Sequence, residues 1–397
     1  LLSRVRLGRN PAWNRLAHVS VFPIAPDGVL LHVGVHKTGT TAIQAALADS
    51  RRELASRDVR YPGKLQAQHR AALALLGRPW GWNNRGGGVM DREHFDRLVR
   101  RTRKAPGRVV ISSEFFCEAS SDQADEVVSA LGRSGARPVH VVITLRNLGK
   151  LLPSSWQQYL KYGMTTSYEA WLTGVLATPG SSKMSPTFWK RHDHGDVIRR
   201  WAGAVGPQNL TVMVLEDVPR EYMFETFAQF LDVPTHILTS RMELTSNRSM
   251  TAAEAEVLVR LNKKVKKSMQ WSDYVTLVRR GVALGMVEGR EPGPSEPKLH
   301  TPDWALDAAQ QMGIKSVNTI RESKVNVLGN LDALRTRIAS TPVPDFTDQI
   351  PIDAAVTAIE SVINSSREEP SSRELAGRLY RQTKKDGIGS LLRKDSE

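Results

Sequence analysis

Along this chain, apolar runs rich in β-branched residues alternate with segments of helical period. Residues 29–35, VLLHVGV, are apolar but for one histidine and predict a buried strand. HKTGTT follows at once, and the next segment sets Ile43, Ala46, Leu47 and Leu54 on one helical face. A strand, a phosphate-sized turn and a helix open an α/β fold. Residues 58–61 predict a second strand, stopped by Pro62 and Gly63, and residues 65–76 a helix. A loop with Trp80, Trp82 and Gly86 to Gly88 follows, whose aromatics either grip a ligand or cap the core. Helices are predicted over 92–103 and 122–132, and strands over 108–116 (RVVISSEFF) and 139–147 (VHVVITLRN).

Further on, residues 151–161 have helical period after a proline break. Residues 163–196, rich in Gly, Ser, Pro, Thr and His, read as an inserted loop with a short helical piece at 168–172. Residues 209–217 predict a strand and 222–231 a helix. Residues 252–281 read as a basic helix carrying Lys263, Lys264, Lys266 and Lys267. Residues 289–298 look irregular, 303–338 partly helical with a turn at SKVNVLGN, and the tail beyond 365 is charged. The fold class expected is α/β: a mostly parallel sheet flanked by helices on both faces, with a helical C-terminal extension. The expected division is a basic N-terminal extension over 1–28, a core over 29–250, and a helical continuation of the same domain plus tail over 251–397.

Charge narrows the ligand class. Lys and Arg number 55 against 41 Asp and Glu, a net charge of +14, so anions are the expected partners. Nucleic acid, a doubly phosphorylated nucleotide and an acidic glycan all satisfy that charge. No zinc-finger spacing, RNP-like strand or helix-turn-helix signature occurs, so nucleic acid is not the expected partner. Cys117 is the one cysteine and fits a buried site beside Phe115 and Phe116. Without an intrachain disulfide, and with no long apolar stretch beside Arg4, Arg6, Arg9 and Arg15, a cytoplasmic location is expected. The basic N-terminus reads as an extension packed on its own domain; an arm touching a membrane surface or a partner is the other reading. No run is long enough to span a bilayer.

The sharpest chemical signal is Gly34-Val35-His36-Lys37-Thr38-Gly39-Thr40-Thr41. Small residues let backbone N–H groups converge on one concavity, and the next helix adds its unpaired donors and positive end. Lys37 supplies a cation, and Thr40 and Thr41 supply hydroxyls. The spacing is not GxxxxGK[ST], because Lys37 precedes the second glycine. VHKTGTT resembles the 5′-phosphosulfate loop of the sulfotransferases that use 3′-phosphoadenosine-5′-phosphosulfate (PAPS), and HVGVHKTGTT resembles bacterial branches of that superfamily. His36 stands where many members have proline. The resemblance implies a P-loop-like sulfotransferase fold over residues 29–250, PAPS as donor, Lys37 at the phosphosulfate and Thr38 to Thr41 around its phosphate.

A second motif falls in the expected order. Arg146 ends a predicted strand and Ser154 follows eight residues later, the spacing with which the same family holds the donor's 3′-phosphate. Arg146 can donate two parallel hydrogen bonds to phosphate oxygens, and Ser154 can add a hydroxyl at the start of the next helix. Arg248, in SNRSM before the basic helix, is a candidate third contact to that phosphate, although the RKG form of several eukaryotic members is missing; Ser249 or Thr251 could instead cap the helix. Trp156 fits the helix core or the adenine.

Transfer needs a base for the acceptor proton. Glu114, at the polar end of RVVISSEFF, is the first candidate, and His69, read as mid-helix, the second, as base, acceptor ligand or orienter of Glu114. Ser112 and Ser113 could position the acceptor. The cluster His192, Asp193, His194 and Asp196 matches no strong metal template, and no metal is expected. The activity expected is sulfuryl transfer from PAPS to a hydroxyl, or less readily an amine, of a carbohydrate or small natural-product acceptor. A nucleotide-dependent kinase using Glu216 or Asp217 for magnesium is one alternative. A non-enzymatic polyanion-binding protein, using Lys263 to Lys267 and a tail with Lys384 and Lys385, is the other.

Overall fold

The computed structural model describes residues 21–79, 87–132, 135–177, 185–242, 248–341, 343 and 349–367. The expectations for Arg4, Arg6, Arg9, Arg15, Trp80, Trp82, Gly86, Lys384 and Lys385 lie outside the described residues.

Six strands form one open sheet in the order β2-β3-β1-β4-β5-β6. They are β1 (Val29–His32), β2 (Val59–Arg60), β3 (Arg108–Ser112), β4 (Val139–Leu145), β5 (Leu210–Val214) and β6 (Asn326–Leu328). Every pairing is parallel. Side chains alternate across the sheet as period two requires. Val29 and Leu31 of β1 join one core with Val109, Ile111, Val141 and Trp201. Leu30 joins the opposite core with Val110, Val142, Ile43, Leu47 and Phe227. Helices therefore cover both faces, which is why these strands read as unbroken apolar runs.

A third apolar cluster is purely helical. Leu148, Leu152 and Trp156 meet Trp171, Phe188, Leu258, Tyr274 and Val278. Much of the supposed loop 163–196 belongs to it. Helices Tyr168–Leu176 and Phe188–His192 form there because Trp171 and Phe188 are fully buried, and that tertiary packing overrides the polar local composition. SKVNVLGN is also more than a turn, since Asn326–Leu328 is the sixth strand. Two further boundaries bear on the site. Strand β3 stops at Ser112, and Glu114 opens a 3₁₀ turn, Glu114–Glu118, that the Ser113 side chain caps. The helix after β4 runs Leu148–Leu160, starting before Pro153, because Asn147 accepts a hydrogen bond from the Gly149 N–H at 2.9 Å and caps it. Among the described residues no helix is long and apolar enough to cross a membrane.

Topology decides where a ligand can sit. After β1 the chain moves towards β2 and β3, and after β4 it moves towards β5. Between neighbours whose connections diverge, a crevice opens at the strand C-terminal ends. The loops after β1 and β4 carry the two sequence motifs, at Gly34 to Thr41 and at Arg146.

Candidate active site

The loop after β1 is shaped by backbone conformations that few residues adopt. Gly34, Lys37 and Gly39 have φ of 45°, 71° and 79°. A Cβ on Gly34 would come within 2.7 Å of Thr40 and 3.0 Å of the His32 ring, so the loop closes only around glycine. Lys37 carries a side chain in the left-handed region, as Asp58, Asp217, Asp232 and Lys324 also do. Helix Thr40–Asp49 then begins with no side-chain cap and no acidic residue in its first turn. Its unpaired N–H groups and positive end remain available to an anion.

Loop and helix form one lip of a cleft of about 830 Å³. Its lining includes His36, Lys37, Thr38, Gly39, Thr40, Thr41, Glu114, Arg146, Ser154 and Arg248. The separate sequence motifs thus converge, whereas Gly34 and His69 stand behind the wall. Eight lysines and arginines line the cleft against one carboxylate, Glu114. Lys37 Nζ donates to Gln158 Oε1 at 3.4 Å. Burial lowers the Lys37 pKa, and the charge of Glu114 opposes that fall.

Arg146 has a half-open side chain whose buried Nε makes no hydrogen bond; Glu216 Oε1 lies 3.7 Å away. An unsatisfied buried donor beside an open guanidinium suits a phosphate oxygen. Ser154 lies in the second turn of its helix, not at the start, and its hydroxyl donates to Leu151 O at 3.0 Å. A ligand would be met by its remaining lone pairs or after rotation. Glu216 is committed: it pairs with Lys150 and accepts the Asn147 N–H at 2.8 Å. Arg248 is gripped by both oxygens of Glu254, at 2.7 and 2.8 Å, and also donates to Met286 O. It edges the cleft as a braced residue.

Glu114 is almost enclosed, and burial alone would raise its pKa. His69, His36 and the Gln44 amide outweigh burial and hold it below the usual carboxylate range. Gln44 Nε2 donates to Glu114 Oε2 at 3.0 Å. His69 is the first residue of helix His69–Leu76 rather than a mid-helix residue. Its Nδ1 lies 2.8 Å from Ser113 Oγ and 3.7 Å from Glu114 Oε2. It backs Glu114, which alone of the two faces the cleft. Ser112 and Ser113 are fully buried, so neither meets an acceptor.

A buried chain of hydrogen bonds joins Glu114 to the loop after β1, and its direction can be deduced. The Val35 carbonyl can only accept, so the Thr38 hydroxyl donates to it, at 2.8 Å. Thr38 must then accept from Thr144, 2.7 Å away. Thr144 in turn accepts from His32 Nε2–H at 3.3 Å. His32 Nδ1 is left to accept from Ser112, at 2.8 Å, and Ser112 accepts from Gln44 at 3.2 Å. The chain requires neutral His32, and burial lowers its pKa to about 4. Thr38 thereby belongs to the loop's frame through its side chain and offers a ligand only its N–H.

The cleft floor holds a second charged knot. Glu118 takes Arg191 Nε at 2.9 Å and pairs with Arg78, and His36 Nε2 lies 3.6 Å away. Burial would raise the Glu118 pKa, but Arg191, His36 and Arg78 pull it well below the carboxylate range. His36 stacks edge-on against Phe115, and burial lowers its pKa to about 4. The 192–196 cluster does other work. Asp193 caps the next helix, Asp196 pairs with Arg199 and Arg200, and among the described residues no group of three His, Cys, Asp or Glu could hold a metal ion. Trp156 is buried, its indole N–H donating to Thr166 O at 3.1 Å.

Sequence reasoning passed over Gln44, Gln158, Lys161 and Arg279. Gln158 and Lys161 were within reach of it, because they follow Ser154 by four and seven residues and share its helix face.

No protein family matches the chain, and no curated protein matches it. Among solved structures it is similar to the crystal structure of a sulfotransferase from Alicyclobacillus acidocaldarius. Identity is 16%, the TM-score is 0.41, and the match covers 62% of this chain and 94% of that one. Likeness at that level assigns no role to any residue, and the chemistry rests on the cleft itself.

Proposed function

We propose that this protein transfers a sulfuryl group from PAPS to a hydroxyl, or less readily an amine, of a carbohydrate or small-molecule acceptor. The reading is carried by one observation: Lys37 with an uncapped helix N-terminus, Arg146 with an unsatisfied buried Nε, and ionised Glu114 line the same cleft. Those groups suit a ligand with anionic groups at both ends and an uncharged nucleophile between.

The loop N–H groups, Thr40, Thr41 and Lys37 would hold the 5′-phosphosulfate, and Arg146 with Ser154 the 3′-phosphate. Glu114 accepts the acceptor's proton as the acceptor oxygen bonds to sulfur. The bond from sulfur to the bridging phosphate oxygen breaks, and that oxygen leaves with the electron pair. Lys37 and the loop amides stabilise the negative charge it acquires. Gln44, through the buried chain to Thr38, holds base and loop in one frame.

The test is release of 3′-phosphoadenosine-5′-phosphate (PAP) from PAPS across a panel of sugars, uronates and phenols. Wild type should respond to at least one acceptor, and Glu114→Gln should lower that rate about 10²–10⁴-fold with donor affinity kept. A rate unchanged in Glu114→Gln would remove Glu114 as the base. No release with any acceptor would count against the transfer reading.

A further inference from the structure

The stripe that helix Leu148–Leu160 turns to the cleft continues past the donor motif. Lys150, Ser154, Gln158 and Lys161 follow at intervals of four, four and three residues, and all line the cleft. Ser154 belongs to the proposed 3′-phosphate site, and Gln158 touches Lys37. Lys161 therefore lies about 10 Å beyond Ser154 along the helix axis, on the far side of Lys37.

Lys161 has company there but, among the described residues, no ion-pair partner. Among the described residues its amine has neither a hydrogen-bond nor an ion-pair partner, although it is only partly exposed. Arg279 lines the same part of the cleft with its guanidinium 4.6 Å over the Tyr162 ring, and it has no carboxylate partner among the described residues. Tyr162 is itself stacked on Trp271, and Trp271 on Tyr274, so this cation rests on a rigid aromatic ladder. Arg279 sits in an eleven-residue π-helical stretch, Tyr274–Leu284, a backbone form that recurs at functional sites.

We propose that Lys161 and Arg279 form an acceptor-side anion pocket, so that the acceptor carries a carboxylate or sulfate group in addition to the hydroxyl it presents to Glu114. This rests on the transfer reading above. Of the other cations of the cleft, Lys150 pairs with Glu216, Arg191 with Glu118 and Arg248 with Glu254, Lys37 and Arg146 serve the proposed donor site, and Arg220 stands at the start of helix Glu221–Leu231. Crowded cations without an ion-pair partner are held at a cost that a bound anion would offset. Burial, with Lys37 and Arg279 as like-charged neighbours, brings the Lys161 pKa down to about 8; Glu288 works against that fall, and Arg248 adds to it.

The probes are 4-nitrophenyl β-glucuronide and the neutral 4-nitrophenyl β-glucoside, titrated calorimetrically into protein already saturated with PAP. Wild type should bind the glucuronide at least about tenfold more tightly. The double variant Lys161→Met/Arg279→Met should bind the two probes equally while its PAP affinity stays within about twofold. If the double variant does not fold, Lys161→Gln and Arg279→Gln singly should each lose part of the preference. Equal or undetectable binding of both probes by wild type overturns the proposal. So does a fall in PAP affinity in Lys161→Met/Arg279→Met as large as that in Arg146→Ala, which would hand both cations to the donor. Failure of wild type to prefer PAP over ADP, read before either probe is added, would instead sink the donor reading beneath it.

Discussion

Glu114 keeps its charge despite near-complete enclosure because three neighbours face its carboxylate: Gln44 by a donated hydrogen bond, and His69 and His36 electrostatically. A carboxylate held below the ordinary range stays ionised as the pH falls, so under the proposed role of Glu114 as base, activity should persist into mildly acid solution and drop only once Glu114 is protonated. Gln44→Met removes one donor at nearly constant volume. The Glu114 pKa should rise and the acid limb of the kcat profile should move to higher pH. An acid limb that stays where it is would show that Gln44 only fills space. Little of this was visible beforehand. Glu114 and the glycines announce themselves through residue type and position, but Gln44 and His32 sit in runs that read as apolar helix and apolar strand. Their roles arise from contacts between β1, β3, β4 and the loop helix, 68 to 112 residues apart in sequence.

At the scale of elements, the π-helical stretch that carries Arg279 is held in place from behind. Gly281, Gly285 and Gly289 face helix Ile352–Arg367, where a Cβ would come within 2.9 Å of Val362, 2.4 Å of Ser361 and 2.7 Å of Thr357 respectively. An added side chain at these positions would have to displace the facing side chains of the second helix. Gly285→Val should destabilise the protein by about 1–3 kcal/mol, as overpacking generally does, and lower its Tm. Gly203→Ala, in a helix with nothing within 4 Å of the added methyl, should leave Tm unchanged or raise it slightly. Equal effects of the two would mean that the glycine contacts are not tight in solution. The strands and most helices were legible because burial on both faces writes apolar runs of strand length. Asn326–Leu328 was not, since a three-residue edge strand leaves no such run. Helix Tyr168–Leu176 was legible only as a short piece at 168–172 and Phe188–His192 was masked by polar neighbours; packing on the third core decides both.

On the scale of the whole molecule, a +14 charge becomes informative only through where it is placed. The strand order puts the loops after β1 and β4 beside the same crevice, and that crevice gathers eight cations around a single carboxylate. Composition could announce an anionic partner but not separate a nucleotide from a glycan or nucleic acid. The geometry sets an uncapped helix N-terminus beside Lys37 apart from an open guanidinium at Arg146. The central claim is therefore that this cleft recognises a 3′-phosphorylated adenosine nucleotide. Calorimetric titration with PAP and, in parallel, with ADP measures that directly. The account predicts clear preference for PAP in wild type, and loss of that preference in Arg146→Ala while weak ADP binding persists. Equal affinity for the two nucleotides, or binding of both that disappears together as salt rises, would contradict it and leave a general polyanion site.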